Sequence, residues 1–508
     1  MKFLSLAVLP VAALAAYTSQ EYAEGAVHAR VMGLKEVRPH DCRLKSNSLT
    51  FVQSQWARDR TQGKHASRKW NSRDKKNGGW RERNDPVRCR NGLAVVEPGN
   101  ANQTFRCSGM DLYDFKSHAD LGSYVGEGSS SWGWVSADGR EFAVIGQADG
   151  TAFVEITKNG KISYLGRLPQ QSVFSIWREI RILDDLCIIG SEARDHGVQV
   201  FDMKKLLTLS PTRPANFSTA TDITGLFTQL PIGRTHNIVV NWDLDYAVAV
   251  GAQPRNSTCR SGLIFIDLTD PSNPTSPGCA GQDGYVHDAQ CVKYKGPDSR
   301  YAGKDICIGY NEDTVTVYDA TYKSGINSTQ VIGRLAYPGA SYTHQGSFID
   351  QEWMQYLLLD DELDEVDGVI TDGVPVTYIV DMSDLTNPKL TGTFKATDFK
   401  GIDHNQYVYD GLSYQSNYGN GLWVHDVSSI VDDPTGASVE VAGFFDIYPE
   451  DDAVGGIVEF VGTWSHYGPY PSGYVIVNTI ERGAFVVKLA KFGKKGSGKN
   501  KGRGRGSY

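Results

Sequence analysis

At 508 residues the chain exceeds what one ordinary hydrophobic core serves, so several domains or a repeat architecture are expected. Hydrophobic residues at 40% and charged residues at 22% are globular values, and 54 glycines suit a turn-dense β protein. The net charge of −8 argues against nucleic acid as a partner, and no run after the N-terminus reaches the ~18 apolar residues of a membrane span.

The chain opens with a lone positive charge at Lys2, a short apolar run and an Ala-x-Ala ending. That pattern predicts a secretory signal peptide over residues 1–16, cut after Ala15 or Ala16, and hence a secreted, extracellular protein in an oxidising compartment. Eight cysteines agree with this. Cys291 and Cys307 fall on neighbouring predicted strands, while Cys259/Cys279 and Cys89/Cys107 each flank one strand, so three bridges are expected; Cys42 and Cys187 are left over. Asn102, Asn216, Asn256 and Asn327 are glycan acceptors in an exported chain.

Residues 17–110 show no sustained periodicity and are expected to form a basic, partly disordered extension. Residues 30–90 carry 17 Lys and Arg against 6 Asp and Glu, with Trp56, Trp70 and Trp80 interspersed. Basic residues with interleaved aromatics suit nucleic acid or an acidic polysaccharide. The plainer expectation is a solvated pro-segment with cleavage sites at Arg68-Lys69 and Lys75-Lys76. Residues 491–508 form a basic, Gly-rich tail expected to be disordered.

From about residue 130 the chain becomes regular, and two motifs alternate. The opening motif appears at Trp132-Gly133-Trp134, Ile176-Trp177-Arg178, Thr235-His236-Asn237, Val286-His287-Asp288, Thr343-His344-Gln345, Asp403-His404-Asn405 and Trp464-Ser465-His466. A second motif, of the kind Phe265-Ile266-Asp267, recurs at Val154-Glu155, Phe201-Asp202, Tyr318-Asp319, Val380-Asp381, His425-Asp426 and Val487-Lys488. Seven short β units of this length, with no helical spacing, predict an all-β fold: a seven-bladed β-propeller of four-stranded blades over residues 111–490. Blade seven lacks a fourth strand before the tail. Residues 112–116 have the required pattern, so the N-terminal side is predicted to close the ring.

The phrases Tyr285-Val286-His287-Asp288-Ala289-Gln290-Cys291, Tyr342-Thr343-His344-Gln345-Gly346, Ile402-Asp403-His404-Asn405 and Phe445-Asp446-Ile447-Tyr448-Pro449-Glu450, with the acidic stretch 360–365, resemble the secreted choice-of-anchor B proteins. The Leu-Val-Ile-Val-Asp repeats of that family correspond to the second motif above. The resemblance covers roughly residues 87–490 and implies a secreted or surface-anchored repeat protein, with no settled activity to carry over.

In a propeller the first strand of each blade lines the channel, which places His236, His287, His344, His404 and His466 at its mouth. Loops after the second strands reach the same face with Asp149, Arg194, Arg255, Glu312, Tyr418 and Arg482. Three readings of the histidines stand side by side. They can tie adjacent blades together, bind zinc or copper, or act as proton-transfer groups while Arg194, Arg255 or Arg482 holds a sugar carboxylate. Asp360, Asp361, Glu362 and Asp364 offer hard oxygens for Ca²⁺, against the plainer expectation of a solvated acidic loop. Trp132, Trp134, Trp177 and Trp464 can stack on sugar rings, with Asp288 and Asn405 beside them. The expectation is a monomeric extracellular binding protein for a polysaccharide or cell-surface ligand, the alternative a secreted carbohydrate lyase or hydrolase.

Overall fold

A computed structural model describes residues 19–36, 83–326, 328–369, 372–395 and 399–490. The chain is all-β, with seven four-stranded antiparallel blades set around a channel, blade one carrying Ala215–Asn216 as an added parallel edge: a seven-bladed β-propeller. The inner strands run Gly128–Val135, Arg178–Leu183, Asn237–Asn241, Asp288–Lys293, Thr343–Phe348, Asn405–Tyr409 and Thr463–Tyr467. Each packs on the inner strand of the next blade, and that of blade seven packs on that of blade one.

The repeated sequence motif has a local physical cause. Third strands such as Val198–Asp202, Leu263–Asp267, Val315–Asp319, Val376–Asp381 and Leu422–Asp426 are sandwiched between blades, so their apolar residues are buried on both faces. The terminal aspartate then turns the chain. Asp202 accepts the backbone N–H of Lys204, Asp267 that of Thr269, Asp319 that of Thr321, Asp381 that of Ser383 and Asp426 that of Ser428. Each is an Asx turn, which explains why one carboxylate closes the strand.

Ring closure follows the predicted route. Met110–Ser117 pairs antiparallel with Gly483–Leu489 as the fourth strand of blade seven, and Phe115 packs on Phe485 with ring centroids 4.5 Å apart. The expected bridges Cys89–Cys107, Cys259–Cys279 and Cys291–Cys307 are all formed. Cys291 stands directly opposite Cys307 in the ladder. Cys187 is a buried free thiol, which burial holds well above its ordinary pKa. Cys42 lies outside the described residues, as do the signal segment 1–16, the tail 491–508 and the dibasic pairs. Asn102, Asn216 and Asn256 are exposed, and Asn327 lies outside the description.

The extension is more structured than its sequence pattern predicts. Two helices, α1 (Ser19–Glu24) and α2 (Ala26–Glu36), sit over the channel mouth, and strands Leu93–Val95 and Thr104–Ser108 extend blade six outward from Glu440–Phe445. Helix α2 escapes a periodicity search because its inward face mixes types. Val27 and Val31 share that face with buried His28 and Lys35, so no apolar stripe appears.

Candidate functional site

Four of the five predicted histidines come together. His236, His287, His344 and His404 open the inner strands of blades three to six, and successive ring centroids are 4.2, 4.3 and 4.4 Å apart. Backbone bonds set two of them in register with the second strand of their own blade: His236 N–H donates to Val250 O at 3.0 Å and His287 N–H to Tyr310 O at 2.8 Å. All four rings are buried.

Each ring is oriented through Nδ1. His287 donates to the carbonyl of His344 at 2.9 Å, His404 to that of Trp464 at 2.6 Å, and His344 to Asp360 at 3.2 Å. His236 bonds the Glu192 carboxylate through the same atom. At His287 and His344 the acceptors are a carbonyl and a carboxylate, which assigns the proton to Nδ1 and leaves Nε2 as a lone pair; at His404 the shorter contact to the Trp464 carbonyl favours the same tautomer, although the Asn405 amide nitrogen also meets Nδ1 at 2.8 Å. Desolvation holds His287, His344 and His404 well below the ordinary histidine range, so these rings are neutral bases.

The acidic stretch is not the calcium loop its sequence suggests. All four candidate carboxylates are buried, and they point to different partners. Asp360 accepts from Gln345 and Gln406 and from His344 Nδ1; Asp361 caps the N–H groups of Ser341 and Tyr342; Asp364 accepts from Tyr378; Glu362 faces the Nε2 atoms of His344 and His404. Carboxylates spread over separate hydrogen-bond networks cannot converge on one Ca²⁺. Burial raises the pKa of Asp361 to about 6 and holds Asp360 and Asp364 well above their ordinary range.

The other candidates separate. His466 is not equivalent to the four: Trp464 occupies the corresponding position at the mouth, and His466 Nδ1 bonds Ser416 Oγ at 2.8 Å beside Tyr407. Trp177 and Asn405 line the mouth with Trp464, whereas Trp132 and Asp288 lie further along the inner strands. There they border a second cavity of about 90 Å³ with Arg181, Trp242 and Tyr407. Trp134 packs on Phe142 and its indole N–H donates to Asp185. The arginine clamp of the lyase reading is not assembled. Arg194 is exposed beside Asp195, Arg255 pairs with Glu312 at 2.7 Å, and Arg482 pairs with Glu450 at 2.5 Å.

Three contributors carry no motif in the sequence. Glu192 follows the second strand of blade two and ties His236 to Arg234. Burial opposes its charge, but the hydrogen bond from His236, with the Arg234 guanidinium behind it, holds the carboxyl well below its ordinary range. Its position matches Glu312 and Glu362 in blades four and five, the one signal that would have found it. His28 and Lys35 both come from α2. His28 Nδ1 meets Tyr342 Oη at 2.7 Å and its Nε2 stands 3.7 Å from Glu192. Lys35 forms a buried salt bridge to Glu362 at 2.7 Å, between the rings of Tyr418, Phe460 and Trp464.

With α2 seated, the space left among Lys35, Trp177, the four histidines and Trp464 is about 10 Å³. That is roughly the room one water needs. A sugar ring does not fit. No protein-family model matches this chain, and no curated protein is similar to it in sequence.

Proposed function

We propose that the chain is a secreted propeller of the choice-of-anchor B type, acting as an extracellular binding protein whose ligand site is the histidine-lined channel mouth beneath α2. The signal-like N-terminus and three disulfides fit an exported chain. One observation carries the choice of site. Two side chains seven residues apart on α2 reach carboxylates of the propeller itself: Lys35 forms a buried ion pair with Glu362, and the neutral ring of His28 stands 3.7 Å from Glu192. Residues that merely tied blades together would be satisfied within the ring. Here the ring presents carboxylates and imidazole edges to the mouth, and a separate segment fills the place of a ligand.

The dibasic pairs at 68–69 and 75–76 lie between α2 and the propeller in sequence, so cutting there would leave α2 held by contacts alone. The test loosens the helix without touching the mouth. Val31 is 1% exposed under α2, and Val31→Asp places a charge there. Across a panel of acidic and neutral polysaccharides, the variant should retain a ligand more strongly than wild type, and His287→Ala added to it should abolish the gain. Equal retention by wild type and variant would sink the reading.

A further inference from the structure

We infer that the mouth is a transition-metal site, with His344, His404 and Glu362 as its ligands and Lys35 as a tethered cation standing in for the ion. This rests on the reading of the mouth as a binding site and names the class of ligand.

The geometry is that of a coordination sphere. His404 Nε2 lies 3.4 Å and His344 Nε2 4.0 Å from the same oxygen, Glu362 Oε1, and the three ligand atoms all fall within 4.8 Å of one another. Two ligands bound to one zinc at 2.0–2.1 Å in a tetrahedral arrangement stand about 3.3 Å apart. The His404–Glu362 separation already matches that spacing, and His344 at 4.0 Å would have to draw in to close the set around an ion.

The second layer of contacts is also in place. Metal-bound histidines donate their other N–H to a carboxylate or backbone carbonyl, which fixes ring and tautomer. His344 does so to Asp360 and His404 to the Trp464 carbonyl. Glu362 is fully buried: Oε1 accepts from Tyr418 at 2.7 Å and meets Lys35, while Oε2 has no hydrogen-bond partner. A fully buried carboxylate with an unsatisfied oxygen is costly unless a cation serves it. Lys35 supplies one charge from a segment that is not part of the ring. A divalent ion would supply two and engage both imidazoles, which a lysine cannot do because it only donates.

Two imidazoles and one carboxylate select Zn²⁺ or Cu²⁺ over Ca²⁺ or Mg²⁺. Three protein ligands leave a position open, the arrangement of zinc sites that receive a further molecule. His287 stands next in the row, 4.3 Å from His344 centroid to centroid. The second group of this kind, His28–Glu192–His236, is less suited to an ion. There His236 spends Nδ1 on the carboxylate and Arg234 already pairs with Glu192.

The test uses the full chain stripped with chelator and then dialysed. Zn²⁺, Cu²⁺ and Ca²⁺ are titrated by calorimetry into wild type, Lys35→Met and Lys35→Gln, with folding checked by circular dichroism. Either Lys35 variant should take up one Zn²⁺ or Cu²⁺ per chain at least tenfold more tightly than wild type, and no Ca²⁺. Adding Glu362→Gln or His404→Ala should weaken that binding at least tenfold, whereas His466→Ala should not change it. Bound Cu²⁺ should show nitrogen hyperfine structure from at least two imidazoles. In wild type, excess Zn²⁺ should speed hydrogen exchange across residues 26–36 as Lys35 is displaced, and Ca²⁺ should not. The assignment is overturned if a folded Lys35 variant takes no ion, or if its affinity survives His404→Ala. Polysaccharide retained by Val31→Asp in the presence of chelator would overturn the metal while leaving the mouth as the ligand site.

Discussion

Glu192 shows how much one side chain can hold at this mouth. Its two oxygens serve His236 and Arg234 inside the protein, and His28 approaches from α2. Glu192→Gln keeps the shape but leaves Arg234 facing a neutral amide. Breaking a buried pair from one side costs about 3–5 kcal/mol, so urea unfolding of the variant should show a loss of that order. His118 offers a cleaner reading of pH. Its Nε2 bonds the Thr479 carbonyl, and burial lowers its pKa to about 4. The folded state therefore resists the proton that the unfolded chain takes up near pH 6.5. The sign follows: this contribution is complete above pH 6.5 and is lost as pH falls toward 4, to about 3 kcal/mol in all. Measured against His118→Gln, wild-type stability should fall over that window and stay level above pH 7. A difference independent of pH would show that the ring is not held neutral.

At the scale of elements, the closing strand decides whether the ring is a ring. Met110–Ser117 comes from the N-terminal side of the propeller to complete blade seven, and it covers an edge that Gly483–Leu489 would otherwise expose. Phe115 anchors it by packing on Phe485 while 5% exposed. Phe115→Ala should cost about 3–5 kcal/mol. Amide exchange should quicken first in Gly483–Leu489 and in Thr463–Tyr467 of the same blade. Uniform quickening across all seven blades would instead mean that closure does not depend on this strand. The disulfides act on the same scale. Cys259–Cys279 and Cys291–Cys307 close short segments, 20 and 16 residues apart in sequence, within blades three and four. By loop entropy each is worth about 3 kcal/mol. Replacing Cys291 and Cys307 together by Ser should lower stability by roughly that amount, read from urea unfolding under non-reducing conditions.

For the whole molecule, much was legible from repetition. Seven units with alternating motifs give seven blades, because each third strand is apolar and sandwiched, and five of the seven end where an aspartate turns the chain. The orphaned last blade pointed to residues 112–116, and pairs of cysteines on or beside single strands pointed to their bridges. The site was legible only in part. The histidine positions came from register, but register alone counted His466 with the others, when Trp464 two residues earlier holds that place. The acidic run read as one loop because sequence adjacency suggests convergence. In a strand-to-helix turn, neighbouring carboxylates point apart, and burial then gives each its own donors.

Sequence by itself determined the propeller, its blade count, its closure and its bridges, since each depends on short-range pattern repeated in fixed order. Only the tertiary structure decided the chemistry of the mouth. Glu192 and Glu362 come from blades two and five, His28 and Lys35 from a helix far upstream, and nothing in the chain order links the helix to either blade. Their meeting depends on the curvature of a closed ring, which brings distant lone pairs and charges within bonding distance of one another.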